Sequence, residues 1–441
     1  MDQRKKNIFL ARKLFTCVAA VIGFCLINFS LSAQNFVKTK GDQFTISGKP
    51  YYYIGTNYWY GGLLQAVKGE KGRARLKQEL DFLKQKGVTN LRVLAGSEGL
   101  GQENGVQRVN PALQPEHAVF KPEILESLDF LLNEMRKRNM RAVLFLSNNW
   151  EWSGGFLQYL NWNGQLSDST MRKKMTWDEQ RNETSKFYSC ESCMQDYNKQ
   201  VKLIITHVNK YNHISYSNDP TIMAWELANE PRPMRTEAFD AFKKWVLAAA
   251  TYIKSIDKNH LVTTGTEGVM GAEGSAALFA DIHTFKPIDY LTIHIWPKNW
   301  GWFGDTSIKK DLPQIISKSV AYIRQHEAIA KVLHKPLVLE EFGLPRDAQS
   351  FNSTSTTTSR DQYYQAVFNE WKRSLKTNGP IAGCNFWAFG GTARPIPGQI
   401  FWKEGDDFMG DPPQEEQGLN AVFSTDKSTW NMIQKFTSTP K

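Results

Sequence analysis

Two short apolar segments of this chain each deliver a glutamate to a point where regular structure must stop. The segment Trp225–Pro231 carries Glu230 directly before its proline, and the segment Leu337–Gly343 carries Glu341 shortly before its glycine. Apolar runs of this length are typical of buried strands, so each glutamate is predicted to leave the end of a strand. Glycosidic-bond hydrolysis needs two carboxyl groups, one that donates a proton and one that acts as nucleophile or base. This pair therefore predicts chemistry on a sugar polymer.

The elements that must position these glutamates are a series of strands with helical patterns between them. Eight segments read as strands that are apolar on both faces: 52–57, 90–94, 142–146, 222–228, 261–264, 290–293, 337–341 and 383–387. Buried parallel strands have this pattern, and eight strand–helix units predict an α/β fold of the (β/α)8 (TIM) barrel type. An open doubly wound sheet is the structural alternative. No GxGxxG or Walker-type loop follows an early strand to support it.

Polar and aromatic residues recur at the carboxyl ends of the predicted strands, where a barrel gathers its catalytic groups. Arg92 lies in the second strand, Asn149 follows the third, His294 ends the sixth and Trp387 ends the eighth. Any one of them could simply cap a strand. Their shared position, together with the two glutamates, predicts a single site at the mouth of the barrel.

Two further glutamates lie in the same strands as the candidate pair. Glu226 shares strand parity with Glu230 but lies deeper, and we interpret it as a structural carboxylate inside the barrel. Glu340 precedes Glu341, and successive strand residues face opposite sides. Glu340 is therefore predicted to face the helices and to find a basic partner there.

The 441 residues could form one large domain or two ordinary ones. Hydrophobic residues make up 41% of the chain and aromatic residues 12%, with 14 Trp and 15 Tyr. Aromatic faces stack on sugar rings but also fill cores, so most of these rings are expected in the core. Neither an internal repeat nor a linker divides the chain. We expect one catalytic domain over residues 34–441.

Residues 1–33 read as a secretory signal peptide. A basic start is followed by the apolar run 14–29 and by small residues at 30–33. An uncleaved membrane anchor is the alternative, but the polar Thr16 and Asn28 and the small-residue exit favour cleavage. The mature protein is then expected to be secreted or periplasmic, without stable membrane association. Loss of five basic residues and one acidic residue lowers the net charge from +10 to +6, and without a basic block no nucleic acid partner is expected.

Three cysteines remain after this cleavage. The CxxC spacing of Cys190 and Cys193 is compatible with zinc, redox chemistry or a local disulfide. Neither a second CxxC nor a histidine pair accompanies it, so a disulfide is favoured in an exported protein. Cys384 lies in an apolar run and is predicted to be a buried free thiol. The spacing of Asp406, Asp407 and Asp411 does not match a calcium-binding loop, and we expect no metal.

The segments Trp225–Pro231 and Leu339–Gly343 resemble the two catalytic signatures of glycoside hydrolase family 5, a family of (β/α)8 retaining enzymes. Three further stretches, Gly55–Trp59, His294–Trp302 and Gly410–Gly418, resemble its endo-β-1,4-mannanase branch. The similarity covers most of the mature chain. The Asn-Glu-Pro signature is specific to the clan, whereas the mannanase assignment depends on the longer and weaker stretches.

The resemblance implies a role for each matching residue. Glu230 would be the acid/base, Glu341 the nucleophile, and Asn229 the partner of the sugar 2-hydroxyl. Asn229 and Glu230 can reach one sugar only if the strand bends, and Pro231 is placed to cause that bend. Arg92 would hydrogen-bond Glu341 and keep it ionised, or form a salt bridge with Glu226 inside the barrel.

The same resemblance implies the walls of the sugar site. His294 would lie at its floor, and Trp387 would be the platform under the sugar that is cleaved. Trp296 stands where many family members have a tyrosine whose hydroxyl touches the nucleophile, so only an indole N–H is offered there. Further candidate platforms are the tryptophans Trp59, Trp150, Trp300 and Trp302.

These implications lead to an expected function. We expect a secreted endo-β-1,4-mannanase that works by double displacement on β-mannan and manno-oligosaccharides, as a monomer and without a cofactor. An exo-acting β-mannosidase or a β-1,4-glucanase on the same scaffold is the nearest alternative. A non-catalytic glycan-binding protein is a remoter one.

Overall fold

The central element of the protein is an eight-stranded parallel sheet. The computed structural model describes residues 36–304 and 307–438, so the expected signal peptide over residues 1–33 lies outside the described residues. In chain order the strands are β1 (Tyr53–Asn57), β2 (Asn90–Leu94), β3 (Arg141–Phe145), β4 (Ile222–Glu226), β5 (Leu261–Thr263), β6 (Leu291–Ile295), β7 (Leu337–Phe342) and β8 (Ile381–Phe386). Their order in the sheet is β5-β4-β3-β2-β1-β8-β7-β6, and a parallel bridge between Thr263 and Tyr290 connects the two ends.

A helix follows each strand on the outside of the sheet. These helices are α1 (Leu64–Gln85), α2 (Pro122–Lys137), α3 (Glu191–Thr206), α4 (Phe239–Ile256), α5 (Ala276–Thr284), α6 (Ile308–Leu333), α7 (Thr358–Lys376) and α8 (Lys427–Thr437). The alternation and the nearly closed sheet confirm the predicted (β/α)8 barrel. Helix α1 ends where Gly87 takes a positive φ of 77°, a conformation that glycine adopts without strain.

The barrel interior is apolar near the amino ends of the strands, here called the lower end, and polar near their carboxyl ends, here called the upper end. Tyr53, Val143, Met223 and Val338 pack inside its lower part. A three-stranded antiparallel sheet of Val37–Lys40, Gln43–Ile46 and Lys49–Pro50 covers this end, and Phe44 meets Tyr290 edge-on at 5.2 Å. The remaining core lies between the strands and the helices. Burial at the lower end leaves the upper end for the polar side chains of the site.

Long connections build up the rim of the upper end. The chain between β3 and α3 contains the short helices Phe156–Trp162, Asp168–Arg172 and Trp177–Ser185. The chain between β8 and α8 begins with Phe389–Gly391, which pairs in parallel with Val422–Phe423. Asp411 holds this connection closed by accepting the backbone N–H groups of Gly418 at 2.8 Å and Asn420 at 2.9 Å.

Smaller elements complete the described part of the chain. A short hairpin pairs Gln102–Glu103 with Val106–Gln107, and 3-10 turns cover Gly61–Leu63, Glu151–Ser153, Lys186–Ser189, Tyr216–Asn218, Thr236–Ala238, Met270–Ala272 and Asp347–Gln349. Within residues 36–304 and 307–438, none of the helices has the length and apolar character needed to span a membrane.

Candidate active site

The end of β4 presents Glu230 to the mouth of the barrel. Regular pairing stops at Glu226, two residues earlier than the sequence predicts. Beyond it, Asn229 forms a single bridge with Asn148, which lies in the connection after β3. Glu230 has a positive φ of 51°, which is uncommon for a residue other than glycine. This is the bend expected before Pro231, and it brings the side chains of Asn229 and Glu230 to the same cavity.

The end of β7 carries two consecutive glutamates that both reach the interior, so the prediction that Glu340 faces the helices is wrong. Ile293 of β6 pairs with Leu339, but the next residue, His294, pairs with Glu341. Glu340 is thus the extra residue of a β-bulge, which cancels the strict alternation of side chains. Its carboxylate lies 3.8 Å from Nε of Arg92 and 3.6 Å from Nε2 of His294.

Arg92 joins both strand ends from the centre of the barrel. Its Nε donates to Glu226 at 2.8 Å and its Nη2 donates to the same carboxylate at 2.5 Å. Nη1 donates to Oε1 of Glu341, and Nη2 also donates to Oδ1 of Asn229 at 2.7 Å. Both contacts considered from the sequence, with Glu341 and with Glu226, are therefore made by one guanidinium group. Nη1 further reaches Oδ1 of Asn57 at 3.0 Å.

Glu230 has two partners that fix its carboxyl group. The indole N–H of Trp150 donates to Oε2, and Nδ1 of His294 lies 2.7 Å from Oε1. Burial lowers the pKa of His294 to about 4, so its imidazole is neutral at neutral pH. Each ring nitrogen of a neutral imidazole is a donor in one tautomer and an acceptor in the other. Nδ1 of His294 can therefore pair with Glu230 in its ionised or in its protonated form.

Glu341 is held from two sides as well. Oε1 accepts from Arg92, and Oε2 accepts from the indole N–H of Trp296 at 3.0 Å. Trp296 thereby supplies a donor to this carboxylate, at the position where the sequence offers an indole in place of a tyrosine hydroxyl. Its ring lies edge-on to Trp387, with 5.6 Å between ring centroids.

The two carboxyl groups are close enough for the charge of one to affect the ionisation of the other. A carboxylate oxygen of Glu230, a carboxylate oxygen of Glu341 and a ring nitrogen of His294 all lie within 4.8 Å of one another. Burial raises the pKa of Glu230 and, more strongly, that of Glu341, while the charge of Glu230 further raises the pKa of Glu341 and Arg92 opposes both shifts. Two buried carboxylates at this separation do not both ionise readily. The pair therefore favours a state in which one member is protonated and the other is ionised.

Among residues 36–304 and 307–438, the same three side chains form a cluster with the spacing of metal ligands. Arg92 and Trp296 already donate to the two oxygens of Glu341, and Trp150 donates to Glu230. Donors directed at both carboxylates favour anionic oxygens and proton transfer, whereas a metal site needs those lone pairs. The donor set therefore fits acid–base and nucleophilic chemistry.

A cavity of about 700 Å³ opens above this pair. Its wall combines aromatic and charged side chains, in the manner of a sugar-binding cleft: Trp150, Trp152, Trp177, Trp296, Trp300, Trp387, Arg181, Arg232, Glu267, Glu273 and Glu415. Tryptophan faces pack against the apolar faces of sugar rings, and charged groups hydrogen-bond their hydroxyls. Of the residues expected from the sequence, Asn229, Glu230, Trp296, Glu341, Trp387 and the candidate platforms Trp150 and Trp300 line it. Arg92 and His294 support them from below.

Besides Arg92 and His294, three expected residues do not line the cavity: Trp59, Asn149 and Trp302. Trp302 is half-buried and packs edge-on against Trp300 at 5.2 Å. Trp59 is fully buried, donates its indole N–H to the carbonyl of Gly410 at 3.0 Å and packs edge-on against Trp152 at 5.4 Å. It is a core residue, because the connection after β8 covers it. Asn149 is buried outside the cavity lining, and the side chain that contacts Asn229 belongs to its neighbour Asn148. The assignments of Trp59 and Asn149 to sugar binding are therefore corrected.

Several residues of the site were not expected from the sequence. Arg232 forms an ion pair with Glu267 and lies over the ring of Trp150, 5.2 Å from its centroid. Burial raises the pKa of Glu267 to about 7. Arg232 follows Pro231 directly, and Glu267 follows the end of β5, so strand-end position was the signal that could have found both.

The cysteines lie away from the cavity. Cys190 and Cys193 form a disulfide at the start of α3, where Cys190 also caps the helix by accepting the backbone N–H of Cys193. Cys384 is a buried free thiol in β8.

Comparisons with known proteins agree with this geometry. A family model described as "GH family 5 beta-mannosidase-like" matches residues 34–441. The chain is 28% identical over 417 residues to mannan endo-1,4-beta-mannosidase 7 of Arabidopsis thaliana, covering 92% of this chain and 85% of the relative.

Solved structures give the same result. The glycoside hydrolase family 5 mannosidase of Rhizomucor miehei superposes with a TM-score of 0.82 at 31% identity, covering 92% of this chain and 97% of that one. The endo-1,4-beta-D-mannanase of Thermotoga petrophila shares the fold, with a TM-score of 0.65 at 24% identity over 88% of this chain and 99% of that one. The family model spans the whole barrel, and a buried glutamate stands at the end of β4 and another at the end of β7. This chain therefore belongs to glycoside hydrolase family 5.

Proposed function

We propose that this protein is a secreted endo-β-1,4-mannanase that hydrolyses mannan by double displacement with retention of configuration. The observation that carries the proposal is the placement of Glu230 and Glu341, whose carboxyl oxygens approach within 4.8 Å at the floor of an aromatic cavity. Retaining glycosidases have carboxyl groups about 5–5.5 Å apart, and inverting ones need about 6.5–9.5 Å to admit a water molecule. The short separation supports retention.

In the first step, Glu341 attacks the anomeric carbon while Glu230 gives its proton to the departing glycosidic oxygen. Arg92 donates to Glu341 directly, whereas Glu230 contacts a neutral imidazole and an indole. Burial raises the pKa of Glu341 more strongly than that of Glu230, and the charge of Arg232 lowers the pKa of Glu230 without a hydrogen bond. A guanidinium that donates directly to a carboxylate favours its ionised form, and on this contact we assign the negative charge to Glu341 and the proton to Glu230. A covalent glycosyl ester on Glu341 results.

In the second step, Glu230 takes a proton from water, and the resulting hydroxide attacks the anomeric carbon as the ester bond to Glu341 breaks. Glu230 is then protonated again, and Glu341 is again ionised. Asn229 lines the cavity beside Glu230 and is assigned to the sugar 2-hydroxyl, a contact that strengthens towards the transition state. Trp387 is assigned as the platform under the reacting sugar.

The preference for mannan is supported by the relatives rather than by any single contact. The Arabidopsis relative is a mannan endo-1,4-beta-mannosidase and spans almost the same length of chain. Export is supported by the sequence of residues 1–33, and a single catalytic unit by the continuous family match over residues 34–441.

An exo-acting β-mannosidase is the second candidate. Lys298, after β6, forms an ion pair with Glu416, in the connection after β8, at 3.0 Å, and the neighbouring Asn299 and Glu415 both line the cavity. This bridge joins two rim segments and would narrow one end of a cleft. The close structural likeness to the Rhizomucor mannosidase favours the same alternative.

Product analysis separates these activities. Mannohexaose, cellohexaose and soluble galactomannan are incubated with the wild type and with Glu230→Gln and Glu341→Gln. An endo-mannanase releases mannobiose and mannotriose early from mannohexaose and leaves cellohexaose intact, while both variants are nearly inactive. Early release of mannose with mannopentaose would identify the exo activity. Failure of the wild type on every mannan substrate would refute the proposal.

A further inference from the structure

Asn148 is a buried residue that follows β3 and lies beneath the cavity wall. Its side-chain oxygen accepts two hydrogen bonds, one from the backbone N–H of Trp150 and one from Nδ2 of Asn229, each at 3.0 Å. Its amide group donates to Oγ of Ser153 at 2.9 Å. Both ends of this carboxamide are therefore engaged, which fixes its orientation.

The contact with Asn148 decides how the Asn229 side chain is turned. Oδ1 of Asn229 accepts from Nη2 of Arg92 at 2.7 Å, and Nδ2 donates to Asn148. The reversed amide would place its NH2 group against a guanidinium and its oxygen against another oxygen, which removes both bonds. Only one N–H of Asn229 is used by Asn148. The second N–H remains for a ligand, and Asn229 lines the cavity.

The same Asn148 oxygen controls a neighbour of Glu230. It holds the backbone of Trp150, and the indole N–H of Trp150 donates to Oε2 of Glu230. The backbone N–H of Asn229 donates to the carbonyl of Ser147 at 2.8 Å. This main-chain bond keeps the segment after β4 in register with the segment after β3. The side chain of Asn148 thus connects the residue assigned to the sugar and the residue that contacts the acid/base.

We propose that Asn148 is a positioning residue, which aims the unused N–H of Asn229 at the 2-hydroxyl of the reacting sugar and holds Trp150 against Glu230. The inference rests on the proposed function, since it assumes that a mannosyl unit occupies the cavity. It assigns to Asn148 an effect that acts through Asn229 and Trp150 and not through contact with substrate.

The test compares 4-nitrophenyl β-1,4-mannobioside with its analogue that lacks the 2-hydroxyl on the nitrophenyl-bearing sugar. The readout is kcat/KM for the mannobioside divided by kcat/KM for the analogue without the 2-hydroxyl, both measured from the initial release of nitrophenol. Asn148→Ala removes the acceptor, and we expect the ratio to fall by about tenfold, the effect of one lost hydrogen bond. Asn148→Asp keeps an acceptor oxygen and should retain most of the wild-type ratio. Asn149→Ala is the matched control and should leave it unchanged.

A structural fault alone would lower kcat/KM for both substrates equally. An unchanged ratio in a folded Asn148→Ala variant would therefore overturn the inference. If that variant does not fold, Ser153→Ala frees the amide end of Asn148, and a smaller fall in the ratio is expected; no change would again overturn it. A wild type inert towards the aryl mannobioside and towards mannohexaose would instead refute the proposed function.

Discussion

The hydrogen bond from Trp296 to Glu341 offers the sharpest single perturbation of the site. Trp296→Phe removes the indole N–H, which lies 3.0 Å from Oε2 of Glu341, and keeps an aromatic ring beside Trp387. A hydrogen bond to a charged group contributes about 1.5–3 kcal/mol. If it acts fully in the transition state, its loss lowers kcat/KM roughly 10- to 150-fold.

The same substitution should move the pH profile in a defined direction. Trp296 lowers the pKa of Glu341 against the larger raising effect of burial, so its removal raises that pKa. Glu341, as the proposed nucleophile, must be ionised, and the acid limb of kcat/KM is therefore expected to shift to higher pH. Trp300→Phe is the matched control, because Trp300 lines the same cavity but packs against Trp302 at 5.2 Å; its acid limb should stay in place.

Kinetics on manno-oligosaccharides and thermal unfolding together decide the outcome. The expected result is a large loss of kcat/KM with a small change in Tm, because the ring is retained at the cavity wall. A Trp296→Phe variant with wild-type kcat/KM and an unmoved acid limb would refute the role given to the indole. A large fall in Tm with normal activity in the folded fraction would return the residue to the core.

Further predictions concern the other carboxylates, the core and the cysteines. Trp150→Phe removes a donor that lowers the pKa of Glu230, so the alkaline limb of kcat/KM should move to higher pH; a shift to lower pH would contradict this. Glu340→Gln should keep far more activity than Glu341→Gln. Because burial raises the pKa of Glu340, the free energy of unfolding of the wild type should fall as pH rises above about 4.3, and that of Glu340→Gln should fall less. Equal pH dependence of the two proteins in chemical denaturation would disprove this effect of Glu340. Trp59→Ala should cost about 3–5 kcal/mol of unfolding free energy, and a change confined to KM would argue against its core position. Thiol titration of the mature, denatured, unreduced protein should find Cys384 alone, and three thiols would exclude the disulfide.

The barrel could be predicted from the sequence because its signal is local and repeated. Each strand is a continuous apolar run, and each helix has its own periodicity, so eight units emerge without knowledge of how they pair. Glu230 and Glu341 follow from the same signal, since they end two of those runs. The local signal does not fix the strand ends: β4 stops at Glu226 and β6 continues to Ile295, because pairing with neighbours decides where a strand ends.

The errors arise where a side chain depends on another segment. Glu340 turns inward because β7 is one residue longer than β6 across a bulge, and this register is invisible in the sequence of β7. Asn148 and Asn149 are chemically identical neighbours, and the bridge to Asn229 alone selects Asn148. A buried Trp59 and a cavity-lining Trp296 are equally aromatic in the sequence, and the distant connection after β8 separates them.

The central claim is that Glu341 forms a covalent intermediate that Glu230 helps to make and to break. Proton NMR of the anomeric signals during the first minutes of mannohexaose hydrolysis tests it most directly. The account predicts that the new reducing ends appear first as the β-anomer and then mutarotate to the equilibrium mixture. The α-anomer as first product would mean inversion and would contradict the assigned roles of both glutamates.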